Sequence, residues 1–294
     1  MHLDPAQLAA LTAILRFGSF EAAAHALAVT PSAISQRLKA LEEKVGATLV
    51  LRAQPCTATP LGARLAKHAQ DVALLEAQAL GLSESAAHPQ RLLSLAVPAD
   101  SLTTWLIPAL AAVDGLMFDL RIDDQDNTEE WLRNGSVSAA VTAKARAAPG
   151  CDVHVLGHHR YIATASPAFM QRHFPDGVTA DALGNAPMLT YSQKDQLQNR
   201  WIAENFNEIV HPPSHMVPST HGFVDAALLG LGWGMNPHSL VEKHLTSGHL
   251  IPLIINKPFD VALYWQVARV MVPALAPLSK SIVQTARKSL HRAP

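Results

Sequence analysis

Cysteine is almost absent. The two residues present, Cys56 and Cys151, lie far apart and form no CxxC pair, which argues against a disulfide framework and for a reducing compartment. Neither sign of charge is in surplus: 23 Lys and Arg against 24 Asp and Glu leave a formal net charge of −1. Composition alone therefore lends no support to a strongly basic nucleic-acid binder. No apolar run reaches the roughly 20 residues of a membrane span, because Asp, Pro or Gly breaks each one. The opening "MHLDPAQL" lacks the apolar core of a signal peptide. These absences lead us to expect a soluble, cytoplasmic chain with no membrane association. Zinc-protease and serine-hydrolase signatures, HExxH and GxSxG, are missing too. The 15 histidines include close groups, His154 with His158 and His159, and His211 with His215. Neither group falls on a convincing helix, and neither has the cysteine or carboxylate partners of a metal site. We therefore expect no metal, no other cofactor and no catalytic residue.

Apolar residues are abundant, 49% of 294, and their spacing divides the chain. Leu8, Leu11, Leu15 and Phe17 mark a first helix that Gly18 ends. Ser19 can cap a second, with Phe20, Ala23, Ala24 and Leu27 facing inward. Thr30 followed by Pro31 starts a third, since proline lacks an N–H that would be unpaired there anyway. "ATLVLRAQPCTATP" has the β-branched residues and Gln-Pro turn of a short hairpin. Thr59-Pro60 repeats the helix-start signal and launches a helix to about Ser85. Leu61, Leu65, His68, Val72, Leu75, Ala79 and Leu82 step along it by four and three, a heptad seam suited to a second copy. The plainer alternative is a stripe packed on the chain's own domain. "SESAAHPQ" reads as a hinge.

Beyond the hinge, strand and helix patterns alternate: "LLSLAV", "MFDLRID", "VSAAVT", "PMLTY", "HMVPST" and "VALYWQVAR" are separated by helical segments. That alternation implies α/β layers with mostly parallel strands, in two sheets. Ligands in such folds sit at strand C-terminal ends. "GLGWG" follows a helix and leads into an apolar strand, the reverse of the dinucleotide-binding order, so it reads as a helix stop.

The third helix carries the most specific signal. Ile34, Leu38, Leu41 and Val45 share one face, and Ser32, Ser35, Gln36 and Lys39 share the opposite one. Ser and Gln match either donors or acceptors on base edges, and Lys can reach guanine or phosphate. A uniformly charged face would bind backbone and read little. With the preceding helix and the short "AVT" connection this is the helix-turn-helix arrangement, although a solvated helix of any small bundle could look alike. Between Arg37 and Lys67, six basic residues (Arg37, Lys39, Lys44, Arg52, Arg64, Lys67) face two acidic ones, Glu42 and Glu43. The neutral total thus hides a basic segment where phosphates would lie.

"FGSFEAAAHALAVTPSAISQRLKALEEKVGATLVLRA" closely resembles the N-terminal domain of LysR-type transcriptional regulators, and the resemblance extends over the whole chain in architecture. "SLAVPADSLTTWL" and "RIDDQD" are similar to the subgroup that controls lysine and arginine export (ArgP/LysG, once described as IciA). The resemblance implies an all-α winged helix-turn-helix domain over 1–58 and a linker and dimerisation helix with hinge over 59–90. Residues 91–294 would form a two-lobed, periplasmic-binding-protein-like effector domain. It implies a DNA interface of Pro31, Ser32, Ser35, Gln36 and Lys39, with Arg37 and Arg52 near phosphates. Relatives often carry a basic residue in the wing, where this chain has Gln54, Pro55, Cys56, Thr57 and Ala58. Minor-groove contacts from the wing therefore lose support. The implied partners are double-stranded promoter DNA, a basic amino acid as effector, and further copies of the chain as homodimer and homotetramer. RNA polymerase is a further partner the resemblance allows.

Such an effector offers a carboxylate, an α-ammonium and a distal cation. Helix N-termini suit the carboxylate, and two candidates follow strands: Ala99-Asp100-Ser101 with Thr103, and Ser219-Thr220-His221. Plain helix capping by Asp100 or Ser219 is the alternative. For the cation, Asp123 and Asp124 close a strand and point to opposite faces, Asp124 being favoured. Thr142, Tyr191 and Ser192 end further strands. An amino-acid-modifying enzyme on the same fold would need a nucleophile or acid–base pair, and none stands out beyond Asp124 near Ser101. A DNA-architectural or replication-inhibitor protein without effector control is the remaining alternative.

Overall fold

A computed structural model describes residues 2–81, 91–123 and 128–292. The expected hinge over 83–90 and Asp124 lie outside the described residues.

Three helices open the chain, α1 (Pro5–Phe17), α2 (Phe20–Ala26) and α3 (Pro31–Val45). Asp4, Ser19 and Thr30 cap them through side-chain oxygens that accept backbone N–H bonds. Gly18 and Gly46 close α1 and α3 at φ +72°, a left-handed conformation costly for any residue with a Cβ. Leu8, Leu11, Ile14, Ala23, Ala24, Ile34, Leu38 and Leu41 are buried together as the core of this unit. A two-strand wing, β1 (Val50–Leu51) against β2 (Thr57–Ala58), follows. Cys56 N donates to Gly18 O at 2.8 Å, which ties the wing to the α1–α2 turn.

Helix α4 (Pro60–Ala79) ends six residues short of the expected Ser85, with Gly81 at φ +66° just beyond its Leu80 cap. Its buried stripe is Gly62, Ala66, Lys67, Leu74 and Ala77, offset from the expected seam. Leu61 and Leu65 pack on the N-terminal core, and Leu74 and Leu75 on the C-terminal core. His68 and Ala79 stay exposed and Val72 half-buried. The heptad pattern is thus divided between the chain's own two units and an outward face. Gly62 approaches the wing so closely that a Cβ there would meet Leu49 O at 2.0 Å. Gly62→Ala is therefore expected to destabilise the N-terminal unit by about 1–3 kcal/mol, read as a lower urea midpoint by circular dichroism. An unchanged midpoint would mean that the wing yields.

The remainder begins with β3 (Arg91–Pro98), then α5 (Ala99–Ser101), a π-helical turn (Leu102–Leu106) and α6 (Ile107–Ala111). Next come β4 (Leu116–Asp123), α7 (Thr128–Arg133), β5 (Ala139–Thr142) and the long β6 (Cys151–Ala165). A second lobe holds α8 (Pro167–His173), α9 (Ala180–Asn185), β7 (Met188–Thr190), α10 (Leu197–Phe206), β8 (Ser214–Met216), α11 (Thr220–Leu228), β9 (Gly234–Pro237), α12 (His238–Thr246) and β10 (Ile251–Pro252). The chain returns through β11 (Phe259–Ala268) to α13 (Ala276–Ser289), and Ser281 on α13 donates to Ala109 O of α6 at 2.8 Å.

The expectation of mostly parallel strands needs correction. One mixed seven-stranded sheet runs in the order β10-β6-β11-β5-β3-β4, with β9 also on β6. Its longest pairing, β6 with β11, is antiparallel. Among the described residues, parallel ladders join β3 to its neighbours β4 and β5 and β7 to β8, with one parallel bridge between Met188 and Trp233. Strand β6 is the element the sequence hid, because its histidines and charged residues break the apolar alternation that marks a half-buried strand. It crosses between the lobes, and one continuous core packs against it from both sides, including Leu93, Trp105 and Trp265 from the first lobe and Phe169, Trp201 and Trp233 from the second.

Candidate functional site

Two places in this fold gather polar side chains that packing does not consume. The first is the outer face of α3. Its inner residues Ile34, Leu38 and Leu41 are buried, which leaves Pro31, Ser32, Gln36 and Lys39 exposed and Ser35 and Arg37 half-exposed on the other side. The helix begins at this polar end, because Thr30 accepts from Ala33 N at 3.2 Å and Pro31 occupies the first turn. Lys39 makes only a loose contact with Glu43 at 3.7 Å between two well-exposed side chains. Such a pair contributes little, so the lysine can exchange partners. Arg52, beside the wing, lies 5.1 Å from the Phe20 ring centroid, with its guanidinium above the face. Lys67 is a correction to the basic segment. It is buried and ion-paired with Asp71 at 2.5 Å, and Asp71 in turn accepts from Ser138 Oγ at 2.8 Å. Burial draws its ammonium below the ordinary lysine range, against the pull of Asp71. It braces α4 on the C-terminal unit and is not presented to phosphates.

The second place is a cleft between the lobes with about 510 Å³ of empty space, its open mouth included. Strands β3 and β4 run parallel and end side by side, in the register Pro98 opposite Asp123. The pair β7–β8 ends opposite them, followed by Tyr191 on one side and Thr220 on the other. Pro98, Ala99, Asp100 and Asp123 thus face Tyr191, Asp195, Thr220, Phe223 and Asn236. This is the strand-end position at which α/β folds take ligands.

Asp100 joins the lobes. Its Oδ1 accepts from Thr220 Oγ1 at 3.0 Å and its Oδ2 from Tyr161 Oη at 2.9 Å. Burial pushes its carboxyl above the ordinary carboxylate range against the opposing pull of these two donors, and the charge of Asp195 adds to the rise. His159 Nδ1 stands 3.4 Å from Tyr161 Oη. Since the tyrosine gives its proton to Asp100, that nitrogen can join the chain only by donating. Burial first, and His291 second, lower the His159 pKa to about 4, so the ring is neutral there. Asp195 is buried and accepts from Tyr191 N at 2.9 Å, Leu197 N at 3.0 Å and Gln198 Nε2 at 3.2 Å. Asp123 accepts from Trp131 Nε1 at 3.1 Å and faces Lys194 Nζ at 3.7 Å across the cleft. Asn236 is buried, donates to Thr164 Oγ1 at 2.9 Å, and has no partner for its Oδ1 among the described residues.

Of the residues singled out from sequence, Asp100, Asp123, Tyr191 and Thr220 come together in this lining. Ser219 is exposed and caps α11 by accepting from Gly222 N at 3.1 Å, the plainer of its two roles. Asp100 does not cap: helix α5 has no side-chain cap bond. Ser101 is buried beneath the lining with no partner for its hydroxyl among the described residues, and Thr103 bonds back to Ala99 O at 2.9 Å. Thr142 is buried and its hydroxyl accepts from Lys144 N at 3.1 Å. Ser192 accepts from Lys194 N at 3.1 Å and shapes the turn. Asp195 and Asn236 went unnoticed. A signal existed for Asp195, which stands two residues before a helix and a turn beyond Tyr191, while Asn236 sits in a "GMNP" run that shows only a strand. Among the described residues no group of His, Cys, Asp and Glu is placed to hold a metal ion, and no helix is long and apolar enough to cross a membrane.

Comparison with known proteins identifies the two domains that hold these places. Residues 5–63 match the helix-turn-helix domain described as bacterial regulatory, lysR family, and residues 86–287 match the LysR substrate binding domain. The transcriptional regulator LysG of Mycobacterium tuberculosis is 42% identical over 292 residues, 99% of this chain and 96% of that protein. The crystal structure of ArgP from Mycobacterium tuberculosis aligns with a TM-score of 0.80 at 41% identity, over 100% of both chains. Full-length LysG from Corynebacterium glutamicum with bound effector Arg aligns at a TM-score of 0.66 and 37% identity, covering 98% of this chain and 99% of that one.

Proposed function

This chain belongs to the LysR family of bacterial transcriptional regulators, and from that premise we propose that L-arginine or L-lysine, held in the interlobe cleft, sets how its α3 helices engage promoter DNA. One observation carries the choice of ligand. Three acidic side chains, Asp100, Asp123 and Asp195, line the cleft, and the described residues that line it include no Lys or Arg, Lys194 reaching Asp123 from beside the lining at 3.7 Å. A surplus of acidic over basic side chains gives the cleft a negative potential, so such a lining favours a cation and disfavours an anionic side chain. The arginine bound to the Corynebacterium glutamicum relative supports the same chemistry.

The ligand's carboxylate would turn to the first turn of α11 at Thr220, where unpaired N–H groups favour an anion. Its ammonium and distal cation would turn to Asp100, Asp123, Asp195 and the Asn236 Oδ1, with Tyr191 beside them. Pro31, Ser32, Ser35, Gln36 and Lys39 would read the major groove, and Arg37 and Arg52 would meet phosphate. The working division is 1–58 for DNA, 59–90 for linker and hinge, and 91–294 for effector. The outward side of α4 at His68, Val72 and Ala79 would pair copies of the chain into dimers, and dimers would assemble as tetramers in the cytoplasm. Ligand can bias their arrangement only by its different affinity for the alternatives. A basic amino acid exporter would be the regulated gene, with RNA polymerase contacted at its promoter. The relatives are regulators, and nothing in the cleft favours an enzyme over them.

The test is thermal unfolding of the full chain with single amino acids. At about 100 times its Kd a ligand adds about 2.7 kcal/mol, so Tm should rise by roughly 5 °C or more with L-arginine or L-lysine. L-glutamate and L-leucine should leave it unmoved. A rise with a neutral or acidic amino acid alone would overturn the choice of ligand. Promoter footprints unchanged by every amino acid would favour the DNA-architectural alternative.

A further inference from the structure

Helix α4 belongs to both units, and the handover takes little more than a turn. Leu61, Leu65, Ala66 and Ala69 pack in the N-terminal core, whereas Leu74 and Leu75 pack in the C-terminal one. Lys67 and Asp71 stand at this boundary. The Lys67 ammonium holds Asp71 Oδ2 at 2.5 Å along the helix, and Asp71 Oδ1 accepts from Ser138 Oγ at 2.8 Å. The ion pair lies within α4, but Ser138 belongs to the C-terminal unit, so the hydroxyl bond crosses from one to the other. A carboxylate acceptor makes such a bond roughly twice as strong as a neutral one.

Ser138 is itself tied to the strands that build the cleft. It is buried just ahead of β5. Its N donates to Ser94 O of β3 at 3.0 Å, and its O accepts from Ala268 N of β11 at 2.9 Å. From Ser94, β3 runs on to Pro98 and delivers Pro98, Ala99 and Asp100 to the cleft lining. A tilt of the first lobe about its ligand therefore moves Ser138, and Asp71 must follow or lose the bond. The packing of Leu74 and Leu75 could not impose this alone. Apolar contact is non-directional and tolerates rotation of α4 about its axis, whereas a hydrogen bond weakens steeply with angle.

We propose that the Asp71–Ser138 bond, with Lys67 holding Asp71 in place, is the positioning contact that carries the state of the cleft to the DNA-reading helices. Neither residue lines the cleft. They set the angle at which α4, with the N-terminal unit packed on its first half, leaves the C-terminal unit. This rests on the reading that ligand in the cleft alters promoter binding. It also gives a buried ion pair its best-attested use, which is to fix register and not to add stability.

Titration of L-arginine into the full chain, free and saturated with promoter fragment, tests this through the ratio of the two dissociation constants. Couplings of this kind are typically about 5- to 150-fold. A contact that only stabilised the fold would lower Tm and leave the ratio alone. Ser138→Ala deletes the crossing bond and keeps every cleft residue, so arginine should still bind while the ratio moves toward one by about 3-fold or more. A second variant, Lys67→Met with Asp71→Leu, guards against a loss of folding. Exchanging a buried ion pair for apolar side chains is often neutral or stabilising, so Tm should hold and the ratio should again move toward one. The wild-type ratio retained by either folded variant would overturn the inference and leave the ligand reading standing. A ratio of one in the wild type, or no binding of arginine at all, would overturn that reading and this inference with it.

Discussion

Alanine at both Ser32 and Gln36 is expected to weaken promoter binding by at least about 30-fold, taking about 1–3 kcal/mol for each good base contact. The fold should not register the change. Both residues lie on the exposed side of α3, whose attachment depends on Ile34, Leu38 and Leu41 and on the Thr30 cap. Neither side chain accepts from or donates to another described residue, so the unfolding temperature should match the wild type. Binding to unrelated DNA should persist, because Arg37, Lys39 and Arg52 remain and phosphate contacts carry no sequence information. The measurement is competition between a promoter fragment and random DNA at fixed salt. Equal loss on both would mean that α3 contributes only to backbone contacts, and no loss on either would move the interface elsewhere.

Asp123→Asn is expected to weaken L-arginine binding by about 30-fold, corresponding to about 2 kcal/mol, the lower end for removing one partner of a largely desolvated charge pair. The asparagine oxygen can still accept from Trp131 Nε1, now 3.1 Å from the carboxylate, so the end of β4 keeps its support. Tm without ligand should stay close to the wild type while the arginine-induced rise shrinks. Calorimetry gives the Kd directly, and a change within about twofold would show that the distal cation lies elsewhere in the cleft, at Asp100 or Asp195.

The legibility of the chain followed how local each constraint is. Caps at Ser19, Thr30 and Thr59, the glycine stop at Gly18, and the inner face of α3 are decided within a few residues, and all could be read from spacing. The cleft was half legible. Asp100, Asp123, Tyr191 and Thr220 end strands or begin helices, where strand-end rules place ligands. Asp195 and Asn236 enter through a turn and a short strand whose position depends on β6. That strand was unreadable because its pattern Cys151–Ala165 passes between two environments, and its histidines face solvent at one point and the cleft network at another. The helix α4 seam was legible only in part for a related reason. A three–four repeat shows that one side is apolar but not how many different partners divide it, and here two units of the same chain take part of it. Lys67 shows the limit of counting charge: six basic residues in one segment carried no sign that one of them would be buried against Asp71.

Coupling between cleft and DNA is the central claim, and binding linkage makes it measurable from either side. If arginine shifts the arrangement of the DNA-reading heads, promoter DNA must shift arginine affinity by the same factor. Titration of L-arginine into the full chain, once free and once saturated with promoter fragment, should give two different dissociation constants. Their ratio should equal the ratio of DNA affinities measured with and without arginine. Identical arginine affinities in the two titrations, with DNA bound throughout the second, would contradict the account.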